Sequence, residues 1–342
     1  SGYKHHGVIT FQAEDEIAAV CAAIGASYAG QLGITSTSGP GVALKTEAMG
    51  LAIMAELPLI VLNVQRAGPS TGMPTKTQQA DLLQAMYGRN GESPMVVIAC
   101  STPADAFEVG YEAIRIATKH MVPVMVLSDG YIANGSEPWR LPAVDELPPI
   151  DVRYAPEGEA GVKFEPYKRD PETLARPWAK PGTPGLVHRI GGLEKQDGTG
   201  NISYDPANHQ HMVDTRAQKV ANVANDLPPL EPVGERTGDV LVLGWGSPRG
   251  AITAAVTRMQ QQGHKVSAAF LRHLNPLPND LEALMRGFKR VVLPELNKGQ
   301  LALMLRSTYL IDVQSYSQVN GQPFRSQDIQ DFLEKVLEEL RG

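Results

Sequence analysis

Three consecutive acids, Glu14, Asp15 and Glu16, stand where a short apolar run, Val8 to Phe11, gives way to an alanine-rich segment. The run has the content of a strand and the segment that of a helix. Acids at such a junction complement the partial positive charge of a helix N-terminus, which accounts for Glu14 and Asp15. Glu16 invites a further reading. On a helix it shares a face with Ala19, Ala23 and Ser27, while Ile17, Val20, Cys21, Ile24 and Tyr28 form an apolar stripe on the other side. A carboxylate beside small residues leaves room for a ligand to lie against it.

Two further stretches offer polar contacts. After the strand-like run Ile34–Thr37 comes Ser38-Gly39-Pro40-Gly41, where glycines let the backbone turn tightly and approach a ligand closely. Later, Val64-Gln65-Arg66-Ala67-Gly68-Pro69-Ser70-Thr71-Gly72 follows the C-terminal end of a strand, which is where open α/β sheets bind ligands. Arg66 is its one fixed positive charge. A guanidinium fork there suits a carboxylate; the plain alternative is a surface salt bridge.

These residues need a scaffold, and the pattern supplies one. Strands are expected near 8–11, 34–37, 58–64, 95–99 and 123–127, and helices near 15–29, 41–56, 76–87 and 104–119. Such alternation predicts an α/β domain with a mostly parallel sheet and helices on both faces. Pro58 and Pro123 stand just before strands, where a missing N–H is tolerated.

From Gly135 to Pro232 the texture changes, with fourteen of the 26 prolines falling between Pro138 and Pro232. A long irregular stretch of this kind is usually functional or partner-bound. It is read as an ordered wrap over a partner subunit, with Trp139, Tyr154, Phe164, Tyr167 and Trp178 as anchors and a helix near 210–224. His209 and His211, spaced H-x-H without a third ligand nearby, are weak evidence for metal, and no metal ligand is assigned. A second α/β unit follows from Gly238. Its Gly244-Trp245-Gly246-Ser247-Pro248-Arg249-Gly250 turn imitates a dinucleotide fingerprint. The spacing is G-x-G-x-x-x-G, however, and the next strand ends in Arg272-His273 rather than an acid for ribose hydroxyls. The division expected is therefore 1–135, 136–233 and 234–342.

The 342 residues, 42% hydrophobic and 20% charged, suffice for two α/β domains. A formal net charge of −6 and no basic stripe argue against nucleic acid as partner. Cys21 and Cys100 are the only cysteines, both read as core thiols, which fits a reducing cytoplasm and excludes a four-cysteine iron–sulfur cluster in this chain. No apolar run reaches the length of a membrane span.

The segments FQAEDEIAAVCAAIGASYAG, TSGPGVALKTEAMGLA and ELPLIVLNVQRAGPSTGMPTKTQQADLLQAMYGRNGE resemble the α subunit of 2-oxoacid:ferredoxin oxidoreductases. The closest branch is 2-oxoglutarate:ferredoxin oxidoreductase, or 2-oxoglutarate synthase. ANGSEPWRLP, GLEKQDGTGNISYDP, LVLGWGS, LRHLNPLP and PELNKGQLALMLR continue the likeness in the same order.

The resemblance implies a thiamine diphosphate-binding fold, the pyrimidine domain with its N-terminal part missing, followed by a transketolase C-terminal-like domain. By that likeness Glu16 hydrogen-bonds the aminopyrimidine, Ser38, Gly39 and Gly41 line the cofactor, and Arg66 holds the 2-oxoacid carboxylate. A glutamate near a helix N-terminus tends to stay ionised, so this role asks for burial at a subunit seam. Ser128-Asp129-Gly130 with Asn134 is too closely spaced to match the family's diphosphate motif. The likeness thus implies a cytoplasmic heterotetramer whose β subunit brings Mg2+ and a [4Fe-4S] cluster, with thiamine diphosphate shared at the interface. CoA, a 2-oxoacid and ferredoxin are the implied reactants. Pyruvate or branched-chain specificity, or a non-catalytic scaffold subunit, are the alternatives.

Overall fold

The computed structural model describes residues 4–159 and 161–342. Its first elements are α1 (Glu16–Tyr28), β1 (Gly33–Thr37), α2 (Gly39–Ala55), β2 (Leu59–Gln65), α3 (Leu82–Tyr87), β3 (Val96–Ala99), α4 (Asp105–His120), β4 (Pro123–Asp129) and the short α5 (Gly130–Asn134). There follow α6 (Pro206–Ala221), β5 (Gly238–Gly244), α7 (Arg249–Gln261), β6 (Val266–Phe270), β7 (His273–Asn275), α8 (Leu281–Arg286), β8 (Phe288–Glu295), α9 (Gln300–Tyr309), β9 (Val313–Ser317) and α10 (Ser326–Glu339).

The first sheet has the order β1-β2-β4-β3-β7. Its first four strands are parallel, and β7 adds an antiparallel edge beside β3. Every residue of β3 and β4 is buried, as central strands covered on both faces require. The second sheet, β6-β5-β8-β9, is parallel throughout. One apolar cluster runs from Met49, Leu59 and Leu82 to Leu243, Leu293 and Leu301, so the two sheets share a core. By lending β7 to the first sheet, the C-terminal unit is also stitched to it by backbone pairing.

Several expectations need correction. Residues 8–13 form no strand, and Val8, Ile9 and Phe11 are exposed. A β-branched run becomes a strand only when a neighbour offers ladder partners, and none does among the described residues. The helix expected over 76–87 is confined to α3, because Gln78, Gln79 and Ala80 bond to other segments of the chain. On α1 the buried residues are Val20, Ala23, Ile24 and Ser27, whereas Ile17, Cys21 and Tyr28 are exposed. Both faces of this helix are apolar or small, so periodicity could not select the packed one. Small residues decided it: a Cβ on Gly33 would lie 2.0 Å from the carbonyl oxygen of Ala23, so α1 and β1 approach closely there. Cys21 is therefore no core thiol, while Cys100 is buried.

The irregular stretch lies on this chain's own first domain. Trp178 donates from Nε1 to the carbonyl of Ser27 at 2.9 Å, and the Tyr154 hydroxyl donates to Gly30 at 2.7 Å. Tyr167 is buried, and Trp139 packs on Phe107 with centroids 5.0 Å apart. The ionic anchor is Glu56, just past α2. Its carboxylate accepts two bonds from Arg169, at 2.7 and 2.6 Å, and another from Lys219 of α6.

Candidate functional site

The site is built on the C-terminal tips of β1 and β2, which are neighbours in register through Thr37 and Asn63. α1 runs antiparallel to β1, so its first residue, Glu16, returns to that edge. Asp15 is consumed as the helix cap, with Oδ1 accepting from Ala18 N at 2.7 Å. Glu16, one residue further, makes no cap bond and is half-buried.

Opposite Glu16 stands the turn into α2. Ser38 is extended and makes no side-chain cap bond, and Pro40 sits in the first turn, where no amide is needed. Gly41 is required by space. A Cβ there would fall 1.9 Å from Thr37 Oγ1 and 2.8 Å from Glu16 Cγ. The Glu16 side chain thus lies directly against the glycine backbone. A Cβ on Gly39 would fall 2.7 Å from Asp81 Oδ2. One helical turn beyond Gly41 is Lys45, whose Nζ donates to Glu16 O at 2.9 Å and to Thr35 Oγ1 at 3.1 Å.

At the tip of β2, Gln65 accepts from Asp81 N at 3.1 Å and donates to Ser128 O at 3.2 Å, fixing the loop to β4. Asn63 Nδ2 donates to Asp81 Oδ2 at 3.0 Å. Burial raises the Asp81 carboxyl above the ordinary range, against the opposing pull of Asn63 and the Arg66 charge. Asn63 Oδ1 and Arg66 Nε are both buried without a hydrogen-bond partner. Buried polar atoms are nearly always satisfied, so two orphans near the C-terminal end of β2 mark a place where a polar ligand would complete the bonding.

Glu16, Ser38, Gly39, Gly41 and Arg66 therefore all lie on the β1–β2 edge. Asn63, Asp81, Thr37 and Lys45 join them without having been singled out from sequence. Lys45 left a signal there, the one cation of a largely apolar helix. Asn63, inside an apolar strand run, left a similar one.

A bound thiamine diphosphate would meet an acid (Glu16), close backbone approach (Gly39, Gly41) and the unsatisfied acceptor Asn63 Oδ1, a set that fits the ring end of the molecule. The diphosphate end is different. Asp129 is buried and committed to capping α5, accepting from Tyr131 N at 2.9 Å and Ile132 N at 3.2 Å. His209 and His211 pair with Glu194 and Asp197 at 2.7 and 3.1 Å.

The glycine-rich turn after β5 is occupied by protein. Gly246 has φ +66°, and a Cβ on it would meet Gln79 Nε2 at 2.5 Å. Glu295, Asn297 and Gln300 face the seam between the two sheets. Asn297 Nδ2 donates to Gln79 O at 2.8 Å and Gln300 Nε2 to Ala80 O at 2.7 Å. Glu295 accepts from Trp245 Nε1, Asn297 Nδ2 and the amides of Leu301 and Ala302.

A family profile described as pyruvate flavodoxin/ferredoxin oxidoreductase, thiamine diphosphate-binding, matches residues 2–204. Over 98% of its length the chain is 56% identical to 2-oxoglutarate oxidoreductase subunit KorA of Mycobacterium tuberculosis, covering 51% of that protein. It is 33% identical to the 2-oxoglutarate synthase subunit KorA of Archaeoglobus fulgidus, over 86% of this chain and 77% of that one. The chain thus spans about half the length of the mycobacterial relative. The solved 2-oxoglutarate:ferredoxin oxidoreductase from Magnetococcus marinus, with 2-oxoglutarate, coenzyme A and succinyl-CoA bound, superposes with a TM-score of 0.90. It is 35% identical, and the match covers 97% of this chain and 58% of that one. None of the helices among the described residues is long and apolar enough to cross a membrane.

Proposed function

Since this chain belongs to the pyruvate flavodoxin/ferredoxin oxidoreductase family and carries its thiamine diphosphate-binding domain, we propose that it serves as the α subunit of a 2-oxoglutarate:ferredoxin oxidoreductase. In that reaction 2-oxoglutarate and CoA yield succinyl-CoA and CO2, and two electrons pass to ferredoxin. The M. tuberculosis and A. fulgidus relatives, both named for 2-oxoglutarate, favour that substrate over pyruvate. A β subunit would supply the Mg2+ ion that holds the diphosphate and a [4Fe-4S] cluster. The three-part division at about 135 and 233 is kept within this reading, with the middle part tying the first domain together and β7 crossing between the outer two.

The observation that carries the reading is Glu16 lying over Gly41, with the unpartnered Asn63 and Arg66 atoms at the end of the neighbouring strand β2. Thiamine diphosphate, when bound, supplies the electron sink for decarboxylation of a 2-oxoacid. Glu16 would share a proton with a ring nitrogen of the aminopyrimidine through its carboxyl oxygen. Ser38, Gly39 and Gly41 would let that ring approach the backbone. Arg66 would grip the substrate carboxylate and so orient the oxo carbon. Reconstitution of the chain with its partner subunit tests this. Glu16→Gln should lower kcat by at least about a hundredfold, the scale of losing a positioned acid–base group. Undiminished turnover would leave only a scaffolding role.

A further inference from the structure

Lys45 is completely buried, at 0% exposure. Lysine is almost never so placed without a counter-charge. Yet no carboxylate of the described residues forms a salt bridge with it. Its ammonium is spent on the Glu16 carbonyl and the Thr35 hydroxyl. Plain packing does not explain this choice. Its neighbours on the buried face of α2, Val42, Ala48, Met49 and Ala52, are apolar. Replacing a buried charge with an apolar residue of similar volume is commonly neutral or stabilising. What a methionine could not do is hold the carbonyl of the first residue of α1.

The placement on α2 is specific. Gly41 and Lys45 are four residues apart and so share a helical face. Gly41 makes room for the Glu16 side chain, and Lys45 grips the Glu16 backbone. We infer that Lys45 is a positioning residue, which clamps the start of α1 to β1 and thereby fixes the Glu16 carboxylate over Gly41. The inference rests on the reading of Glu16 given above. Burial lowers the pKa of Lys45, opposed by the charges of Glu16, Asp15 and Cys21 on α1. The clamp should therefore weaken at alkaline pH, earlier than an ordinary lysine would allow.

The experiment uses the chain assembled with its partner subunit and four variants. Lys45→Met removes the donor, Lys45→Arg keeps a charge that does not titrate, and Thr35→Val keeps the ammonium but removes one of its anchors. Cys21→Ser controls for thiol ionisation. Amide hydrogen exchange, read without cofactor, should speed up by about tenfold or more over residues 16–20 in Lys45→Met, as loss of a charge-assisted bond implies. Thr35→Val should show a smaller change in the same segment, while exchange in β3 and β4 stays as in the parent. In the loaded complex, the alkaline fall of kcat/KM should move to higher pH in Lys45→Arg and stay in place in Cys21→Ser. Unchanged exchange over 16–20, or acceleration spread evenly over the whole chain, would overturn the clamp. Failure of the Glu16 reading would show elsewhere, as full turnover in Glu16→Gln.

Discussion

Gln79 donates from Nε2 to the carbonyl of Trp245, 2.8 Å away, across the seam between the two sheets. The same side chain accepts from Leu296 N at 3.1 Å, and its backbone N–H donates to Leu296 O at 3.0 Å. One glutamine thus satisfies backbone groups following β5 and following β8. It is itself fully buried. Gln79→Ala would strand Trp245 O and Leu296 N, and should destabilise the chain by about 2–6 kcal/mol at one to three per buried group. Urea denaturation checks this. Gln79→Glu should be no milder, because the acid cannot donate to Trp245 unless it is protonated.

A methyl group on Gly41 has nowhere to go. It would sit 1.9 Å from Thr37 Oγ1 and 2.8 Å from Glu16 Cγ. The helix itself would welcome alanine, by about 1 kcal/mol over glycine. Gly41→Ala should therefore keep α2 intact while displacing Glu16. Circular dichroism should be unchanged, and turnover of the reconstituted complex should fall by about a hundredfold, as misplacement on the ångström scale can do. Near-parental turnover would mean that Glu16 does not need its seat.

Much of this was legible in the residues. The alternation of β-branched runs with alanine-rich segments located β1 to β4 and α1, α2 and α4, because buried parallel strands are nearly continuous apolar runs. Glu16 and Arg66 stood out as charges at strand–helix junctions. What escaped were long-range matters. β7 has three residues and acquires its meaning only by pairing with β3. The packed face of α1 depended on the close approach of Gly33. Tyr154, Tyr167 and Trp178 were correctly suspect as anchors, but composition cannot tell a chain's own surface from a neighbour's.

Glu56 holds the middle segment down electrostatically. Burial alone would raise its carboxyl pKa, but the charge of Lys219 and the bonds and charge of Arg169 bring it down to about 2. A depressed carboxylate contributes stability that is present above its unfolded value, 4.5, and lost as pH falls toward the folded value. Stability should thus decline between about pH 4.5 and 2. Glu56→Gln should flatten that part of the profile. Because it leaves Arg169 and Lys219 buried without their anion, it should also lower stability at neutral pH by about 3–5 kcal/mol. Thermal melts of both proteins from pH 7 to 2 provide the comparison.

In the proposed reading, Arg66 offers a way to separate substrate recognition from cofactor chemistry. Its Nε is buried without a partner, so the guanidinium is held in place but not spent. A 2-oxoacid carboxylate would satisfy it as a fork, a geometry that lysine cannot copy. Arg66→Lys should raise KM for the 2-oxoacid by about tenfold, and Arg66→Gln by about a hundredfold or more, as truncating one member of a buried charge pair does. KM for CoA and the affinity for thiamine diphosphate should hold steady in both, because neither is assigned to this side chain. If all three constants moved together, Arg66 would be supporting the loop that Gln65 ties to Ser128 and Asp81. Its vacant Nε would then belong to the architecture of the β2 tip, and the carboxylate-binding group would have to lie elsewhere.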